Sequence, residues 1–294
     1  MAGFIFQKMS GLQKEYLKKD THKLKNLGKF VKNINLTLRF LHYNLKELEF
    51  KNKTILILGG NSDVGGSLAK DFAKLGSNLI LTTRELGKLD SFCSDLEIRN
   101  DISCSSAFFD VLDFNSHEAF YQNLKTTPDI VISCIGYLDN NKNSEQKFEE
   151  ALKSIQTNFT GLVQILSIIS NDFETRKSGV IVGISSVAGD KGRASNYIYG
   201  SSKAAFTSYL SGLRGRLSSS GVLVITVKPG YIKTKMTSHL KLPKILTSSP
   251  DKVSKDIINA IRKKKSIIYT MWLWRWIMLI VKAIPSSFFR KVLS

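Results

Sequence analysis

Five β-prone residues, Thr54-Ile55-Leu56-Ile57-Leu58, run without a break into Gly59-Gly60-Asn61-Ser62-Asp63-Val64-Gly65. A helical pattern follows from about Gly66 to Leu75. A short run that is apolar on both faces belongs in a sheet covered on both sides, as parallel sheets are. The glycines let the chain turn sharply, and a helix that opens directly after such a turn presents unpaired N–H groups to an anion. This is the strand-turn-helix on whose helix N-terminus the pyrophosphate of a dinucleotide rests. Gly59, Asn61, Ser62, Asp63, Val64 and Gly65 are its candidate binding residues, with Asp63 expected to cap the helix N–H groups.

The same alternation continues along the chain. Further strands are expected at Asn78–Thr82, Ala107–Val111, Ile130–Ile135, Val180–Ile184, Val222–Val227 and Ser266–Tyr269, and a long helix at Lys147–Ser170. Alternating strands and helices specify an α/β fold, here a doubly wound (Rossmann) parallel sheet. A chain of 294 residues buries a full core as a single domain with additions at its ends. The expected divisions are an N-terminal helical extension over 1–52, the sheet domain over 53–265 with a lid at about 231–250, and a tail over 266–294.

Chemistry concentrates between Gly179 and Phe206. The strand Val180–Ile184 ends at Ser185-Ser186, and Tyr199 and Lys203 stand four apart in a helical pattern. Residues i and i+4 share a helix face, so both side chains reach one pocket. An ammonium beside a phenol favours the phenolate and lowers the tyrosine pKa from about 10. Tyr199 is thus a candidate general acid/base, with Ser186 hydrogen-bonding the same substrate oxygen. After the second strand, Thr83 stands where an acidic residue would bind the ribose hydroxyls of NAD, and Arg84 follows where it meets a 2′-phosphate. NADP(H) is therefore preferred over NAD(H).

The order of glycine-rich turn, Ser186 and Tyr199-x-x-x-Lys203 resembles the short-chain dehydrogenase/reductase family, over roughly Lys53 to Lys264. The resemblance implies further roles. Asn158, in Thr157-Asn158-Phe159-Thr160-Gly161, would hold a water in the proton relay behind Lys203. Asp110, with Val111 beside it, would meet the adenine ring. Gly136 is what remains of the family's Asn-Asn-Ala-Gly segment, here Ser133-Cys134-Ile135-Gly136. Pro229, Gly230, Ile232 and Thr234 match the loop at the nicotinamide end, and Lys203 would also hold the nicotinamide ribose. Leu58 and Asp63 depart from the usual Thr-Gly-x-x-x-Gly-x-Gly turn. The variant Gly59-Gly60-x-Ser62-Asp63-x-Gly65 resembles the subset typified by decaprenylphosphoryl-2-keto-erythro-pentose reductase, as does the tail.

The net charge of +19 sits at the two ends. Residues 1–53 hold 12 Lys+Arg against 4 Asp+Glu, and residues 261–294 hold 8 against none. Leu24, Leu27, Phe30, Val31, Ile34, Leu38, Leu41, Leu45 and Leu48 space out as one face of a basic amphipathic helix. Met1–Met9 is too short for the apolar region of a signal peptide and its cleavage site. All three tryptophans fall in Trp272–Trp276, and Arg275 and Lys282 break the apolar run before Pro285. A spanning helix needs about 20 apolar residues; a C-terminal amphipathic helix at the headgroup level fits this composition better, as an alternative to one packed on the core or on a sister subunit. Cys93, Cys104 and Cys134 form no CxxC pair and are odd in number, which favours a reducing compartment, and no metal site is expected.

The function these residues imply is NADPH-dependent reduction of a ketone, or oxidation of the matching secondary alcohol, at the cytoplasmic face of an anionic membrane. The substrate classes are a polyprenyl-phosphate-linked keto-sugar, a lipid ketone such as a keto-acyl or keto-sphingoid chain, or a small soluble carbonyl. A catalytically silent NADP-binding regulator would have no need of the tuned phenol. Basic ends also suit nucleic acid, but no binding motif accompanies them and the core is near neutral. The fold class carries the expectation of a homodimer or homotetramer.

Overall fold

In a computed structural model, which describes residues 49–138 and 141–285, the sheet domain takes the expected α/β form. Its elements run β1 (Thr54–Leu58), α1 (Asp63–Lys74), β2 (Asn78–Thr83), α2 (Asp90–Asn100), β3 (Cys104–Phe108), α3 (His117–Gln122), β4 (Ile130–Ser133), α4 (Asn141–Gln146), α5 (Phe148–Ile155), α6 (Gly161–Arg176), β5 (Val180–Ile184), α7 (Tyr197–Arg216), β6 (Leu223–Pro229), β7 (Tyr231–Ile232), β8 (Thr247–Ser248), α8 (Pro250–Arg262), β9 (Ile267–Thr270) and α9 (Leu273–Ala283). Seven strands form one sheet in the order β3-β2-β1-β4-β5-β6-β9, and every pairing is parallel. The amphipathic pattern before residue 49 and the last nine residues of the tail lie outside the described residues.

The physical basis is helical cover on both faces of the sheet. All five residues of β1 are buried, as they must be at the centre of such a sheet. One core layer joins Leu56, Leu58 and Val131 of the sheet to Leu162, Ile165, Leu166, Ile169 and Phe173 of α6 and to Phe206 and Leu210 of α7. Because every strand is parallel, their C-terminal ends all meet one edge of the sheet. The chain reverses its winding between β1 and β4, and ligands of such folds bind in the crevice at that point.

Three expectations shift in detail. The third strand is Cys104–Phe108 and not Ala107–Val111, because Leu79 to Thr83 pair in register with Cys104 to Phe108. It is an edge strand with polar, partly exposed positions, so its apolar content does not mark it. Asp110 and Val111 consequently sit in the turn after the strand. The long helix expected at Lys147–Ser170 is interrupted by a π-helical turn at Gln156–Thr160, which carries Asn158. Finally, Ser62 caps α1: its hydroxyl accepts from Gly65 N at 3.0 Å and donates to Gly59 O at 2.8 Å. Asp63 turns away and accepts from Lys235 N at 2.7 Å, tying the first turn to the loop after β7.

Candidate active site

Every site residue expected from the sequence, Asn158 apart, comes from a segment that leaves the sheet at its C-terminal edge or from α7. Gly59–Gly65 follow β1, Arg84 follows β2, Asp110 and Val111 follow β3, Gly136 follows β4, Ser186 follows β5, and Pro229 through Thr234 end and follow β6. Gly59 adopts φ +86°, and its N–H donates to Thr82 Oγ1 at 2.9 Å, so the turn is fastened to β2. A β-carbon at Gly65 would stand 2.4 Å from Gly59 O, and only glycine lets the helix start this close to the strand end.

The centre is built by close backbone approach. A β-carbon at Gly189 would meet Ala204 N at 2.7 Å, and one at Gly200 would meet Ala188 O at 2.9 Å. These two glycines bring the segment after β5 against α7, and so bring Ser186 to Tyr199. Ser185 completes the fastening: its hydroxyl donates to Lys203 O at 2.9 Å and shares a 2.7 Å hydrogen bond with Thr207 Oγ1. Ser186 is buried and accepts from Ala188 N at 3.1 Å, which orients its hydroxyl.

Lys203 is buried, yet among the described residues the only hydrogen bond of its ammonium is to Ile184 O at 3.2 Å. Among the described residues no carboxylate pairs with it. Burial therefore depresses its pKa to about 8. Its ammonium lies 5.9 Å from the centroid of the Tyr199 ring. Tyr199 departs from expectation. Desolvation pushes its phenol up to about 12, and a hydrogen bond with Ser186 opposes the rise only in part. The lysine does not bring the phenol toward neutrality here, because burial penalises both charges and the ammonium stands off from the ring.

Asn158 is fully buried and grips a backbone. Its Oδ1 accepts from Tyr137 N at 2.9 Å and its Nδ2 donates to Tyr137 O at 2.7 Å, with Ser154 Oγ at 3.3 Å. It thereby fixes the segment after β4. In front of Gly136, a β-carbon would stand 3.5 Å from both Asn158 Oδ1 and Lys203 Nζ. With no side chain at Gly136, the lysine's spare donors face the backbone there directly, an arrangement suited to the ribose and nicotinamide end of a dinucleotide. At the other end Arg84 is exposed and makes no ion pair among the described residues. Asp110 Oδ1 accepts from Leu112 N at 3.0 Å, and Gly161 lets the Val111 carbonyl approach to within 2.1 Å of where a β-carbon would be. The residues present thus fit an NADP(H)-type group.

The loop after β6 carries what sequence reasoning missed. A β-carbon at Gly230 would stand 2.0 Å from the Trp274 ring, so the glycine's open face is filled by the tail helix. Trp274 Nε1 donates to Leu246 O at 3.1 Å, and its ring packs edge-on to Tyr231 at 5.6 Å between centroids. Ile232 and Ser248 pair across β7 and β8, and Thr234 caps the short turn Lys235–Thr237. Behind the site lies a buried cluster: Lys228 Nζ meets Asp190 Oδ1 at 2.5 Å, and Tyr269 Oη donates to Asp190 Oδ2 at 2.7 Å. Glycines at 189 and 200 and a charged pair at 190 and 228 have no spacing that would have marked them in advance. Cys134 is half-buried, and desolvation pushes its thiol up to about 12. Among the described residues no group of His, Cys, Asp and Glu is arranged to hold a metal ion.

Comparison with known proteins agrees with this geometry. A short chain dehydrogenase family profile matches residues 53–244. In sequence the chain is similar to an uncharacterized oxidoreductase of Mycobacterium tuberculosis, 26% identical over 241 residues that cover 81% of this chain and 96% of the relative. It is also similar to an NADP-dependent 3-hydroxy acid dehydrogenase of Schizosaccharomyces pombe, 24% identical over 231 residues that cover 74% and 89% of the two. In fold it is similar to a short-chain dehydrogenase from Sphingobium yanoikuyae in complex with NADPH. The TM-score is 0.69 at 23% identity, over 80% of this chain and 97% of that one.

Proposed function

The chain belongs to the short-chain dehydrogenase family of oxidoreductases, and on that premise we propose that it is an NADPH-dependent reductase of a ketone carried by a lipid or a polyprenyl-phosphate-linked sugar. The observation that carries this reading is the buried, uncompensated Lys203 beside Tyr199 and Ser186 at the open face of Gly136. A charge left without a partner in the interior is costly, and its natural use is toward a bound group.

NADPH, when bound, supplies the hydride. Gly59, Asn61, Ser62, Val64 and Gly65 would hold its pyrophosphate, with Asp63 turned to Lys235. Arg84 would pair with the 2′-phosphate and Asp110 and Val111 would flank the adenine. Gly136, Lys203, Pro229, Ile232 and Thr234 would bound the nicotinamide end. NADP use is supported by the free Arg84 after β2 and by the name of the fission-yeast relative.

Ser186 Oγ would donate to the carbonyl oxygen of the substrate. Tyr199 Oη would pass its proton to that same oxygen. A phenol with its pKa pushed up to about 12 holds its proton at neutral pH, which suits an acid in the direction of reduction. Lys203 would stabilise the phenolate left behind, an interaction that strengthens only as the charge develops. Asn158, by clamping Tyr137, would keep the wall of the pocket in place; a relay water is compatible with its remaining valence.

The lipid character of the substrate is supported by the loop over the site, where Met236, Leu240 and Ile245 are exposed. It is also supported by the resemblance to the decaprenylphosphoryl-2-keto-erythro-pentose reductase subset. The test is NADPH oxidation by the purified protein, with a membrane-lipid extract and, in parallel, with a water-soluble metabolite extract. Turnover with the lipid fraction, reduced by about 10²-fold or more in Tyr199→Phe, is expected. Turnover with the soluble fraction alone would refute the lipid substrate. Tight NADPH binding with no turnover in either would leave a silent regulator.

A further inference from the structure

Helix α9 is apolar on two faces, and the sheet domain uses only one. Trp274 and Met278 are buried against Val187, Tyr231 and Leu246. The opposite face leaves Trp272 74%, Trp276 55%, Leu279 59% and Ile280 65% exposed. Arg275 and Lys282 flank that face, and both are exposed. Beside the start of α9, a groove of about 510 Å³ opens between α8 and the edge strand β9. Ile245, Met271 and Trp272 are part of its apolar lining, and Lys252, Lys263 and Lys265 line it with cations. Asp256 also lines it, but pairs with Lys252 at 2.5 Å. Lys263 and Lys265 make no ion pair among the described residues and are exposed.

We propose that this groove and the outer face of α9 form one docking surface for an anionic bilayer. The groove takes the phosphate of a phospholipid headgroup on Lys263 and Lys265, while Trp272, Trp276, Leu279 and Ile280 enter the interfacial layer. Charge selects this occupant over the alternatives. Residues 261–294 carry 8 Lys+Arg and no Asp or Glu, so a second copy would bring the same cations to the face. Residues 1–48 carry 10 Lys+Arg against 3 Asp+Glu and are repelled by it as well. An anionic surface is instead attracted by each lysine or arginine near it. The helix has 11 residues, and among the described residues no helix is long and apolar enough to cross a membrane. It therefore lies in the plane of the interface, with tryptophans and cations at headgroup depth.

This deepens the lipid-substrate part of the proposed function and is independent of its redox chemistry. The buried face of the same helix holds the substrate loop through Trp274 and Leu246. The docking surface is thus one helix diameter, about 10 Å, from that loop.

The only tryptophans of the chain are residues 272, 274 and 276, so their emission reports on this tail segment alone, and any shift on binding comes from the exposed Trp272 and Trp276. The full-length protein would be mixed with vesicles of phosphatidylcholine, or of phosphatidylcholine and phosphatidylglycerol in equal parts, and followed by emission and by sedimentation. We expect a blue shift and sedimentation with the anionic vesicles only. The double variant Lys263→Glu/Lys265→Glu should weaken that binding at least about tenfold, and Trp272→Ser/Trp276→Ser should abolish the emission shift. Both variants should keep the far-ultraviolet circular dichroism and the NADPH affinity of the parent, which separates this test from the catalytic one. Equal binding to both vesicle types, or anionic binding that neither variant weakens, would overturn the proposal and move membrane contact elsewhere in the chain. A dimer dissociated by Trp272→Ser/Trp276→Ser, without vesicle binding, would overturn it in favour of a second copy.

Discussion

Asp190→Asn should strongly destabilise the folded chain while leaving Ser186, Tyr199 and Lys203 in place. Asp190 and Lys228 are 4% and 8% exposed at their side chains, so their 2.5 Å contact is a buried ion pair and not a surface one. Removing one partner leaves Lys228 buried beside a neutral amide, a situation that costs about 3–5 kcal/mol. The substitution also weakens a charge-assisted hydrogen bond from Tyr269 Oη, of the kind that contributes about 1.5–3 kcal/mol. Lys228 keeps the Tyr269 ring 5.7 Å away, which returns about 0.5–1 kcal/mol. The net expectation is a loss of about 4 kcal/mol. With a urea slope of about 3 kcal/mol/M, the midpoint should fall by more than about 1 M. Tyr269→Phe should lose about half as much. The double change Asp190→Asn/Lys228→Met should recover most of the loss, because it removes the stranded charge along with its partner. Urea unfolding followed by circular dichroism measures all three. A shift in Asp190→Asn of under about 1 kcal/mol would mean that water reaches the pair. A double variant weaker than the single one would refute the reasoning, since the stranded charge would not be the cause.

Three further outcomes are expected. Burial holds Lys203 down to about 8 from an ordinary 10.5, so near neutral pH its charge costs the folded state about 3 kcal/mol. Between about 8 and 10.5 the unfolded chain binds the proton that the folded one has released, and stability rises with pH there. Lys203→Met should therefore be more stable than the parent at pH 7, with the gap closing by pH 10 in thermal melts without cofactor. Arg84→Ala should weaken NADPH binding about 10–100-fold while leaving NADH binding unchanged, measured by fluorescence titration; equal losses for both would remove the 2′-phosphate role. Trp274→Ala should cost about 3–5 kcal/mol and raise KM more than it lowers kcat, because the substrate loop loses its hydrogen bond to the tail; an unchanged KM would separate the tail from the substrate loop.

The candidate catalytic segment was legible because the placement of its side chains depends on spacing along one element. Tyr199 and Lys203 share a face of α7 whatever surrounds them, and Ser186 stands at a strand end marked by the apolar run before it. Errors arose where an element's limits depend on its neighbours. The strand β3 is half-polar because it lies at the sheet edge, so its register with β2, not its own composition, sets where it ends. Asp63 and Ser62 are both competent caps, and only the approach of Lys235 from 172 residues away decides that Asp63 faces the loop. The turn at Asn158 shows the same dependence. Its helical pattern is continuous, but a polar side chain that must satisfy Tyr137 draws the backbone into a π turn.

The sequence alone determined the α/β alternation, the glycine turn after β1, the Ser186–Tyr199–Lys203 order and the basic, tryptophan-rich tail. These are local properties, carried by periodicity and by residue type. Tertiary structure decided the rest. It left Lys203 without a carboxylate, raised the Tyr199 phenol instead of lowering it, and joined Asp190 to Lys228 and Tyr269. It also turned one apolar face of α9 onto Gly230 and the other outward. The physical reason is the same in each case. Desolvation, charge pairing and close packing depend on what arrives from distant parts of the chain, and that is set only when the sheet closes and the helices cover it.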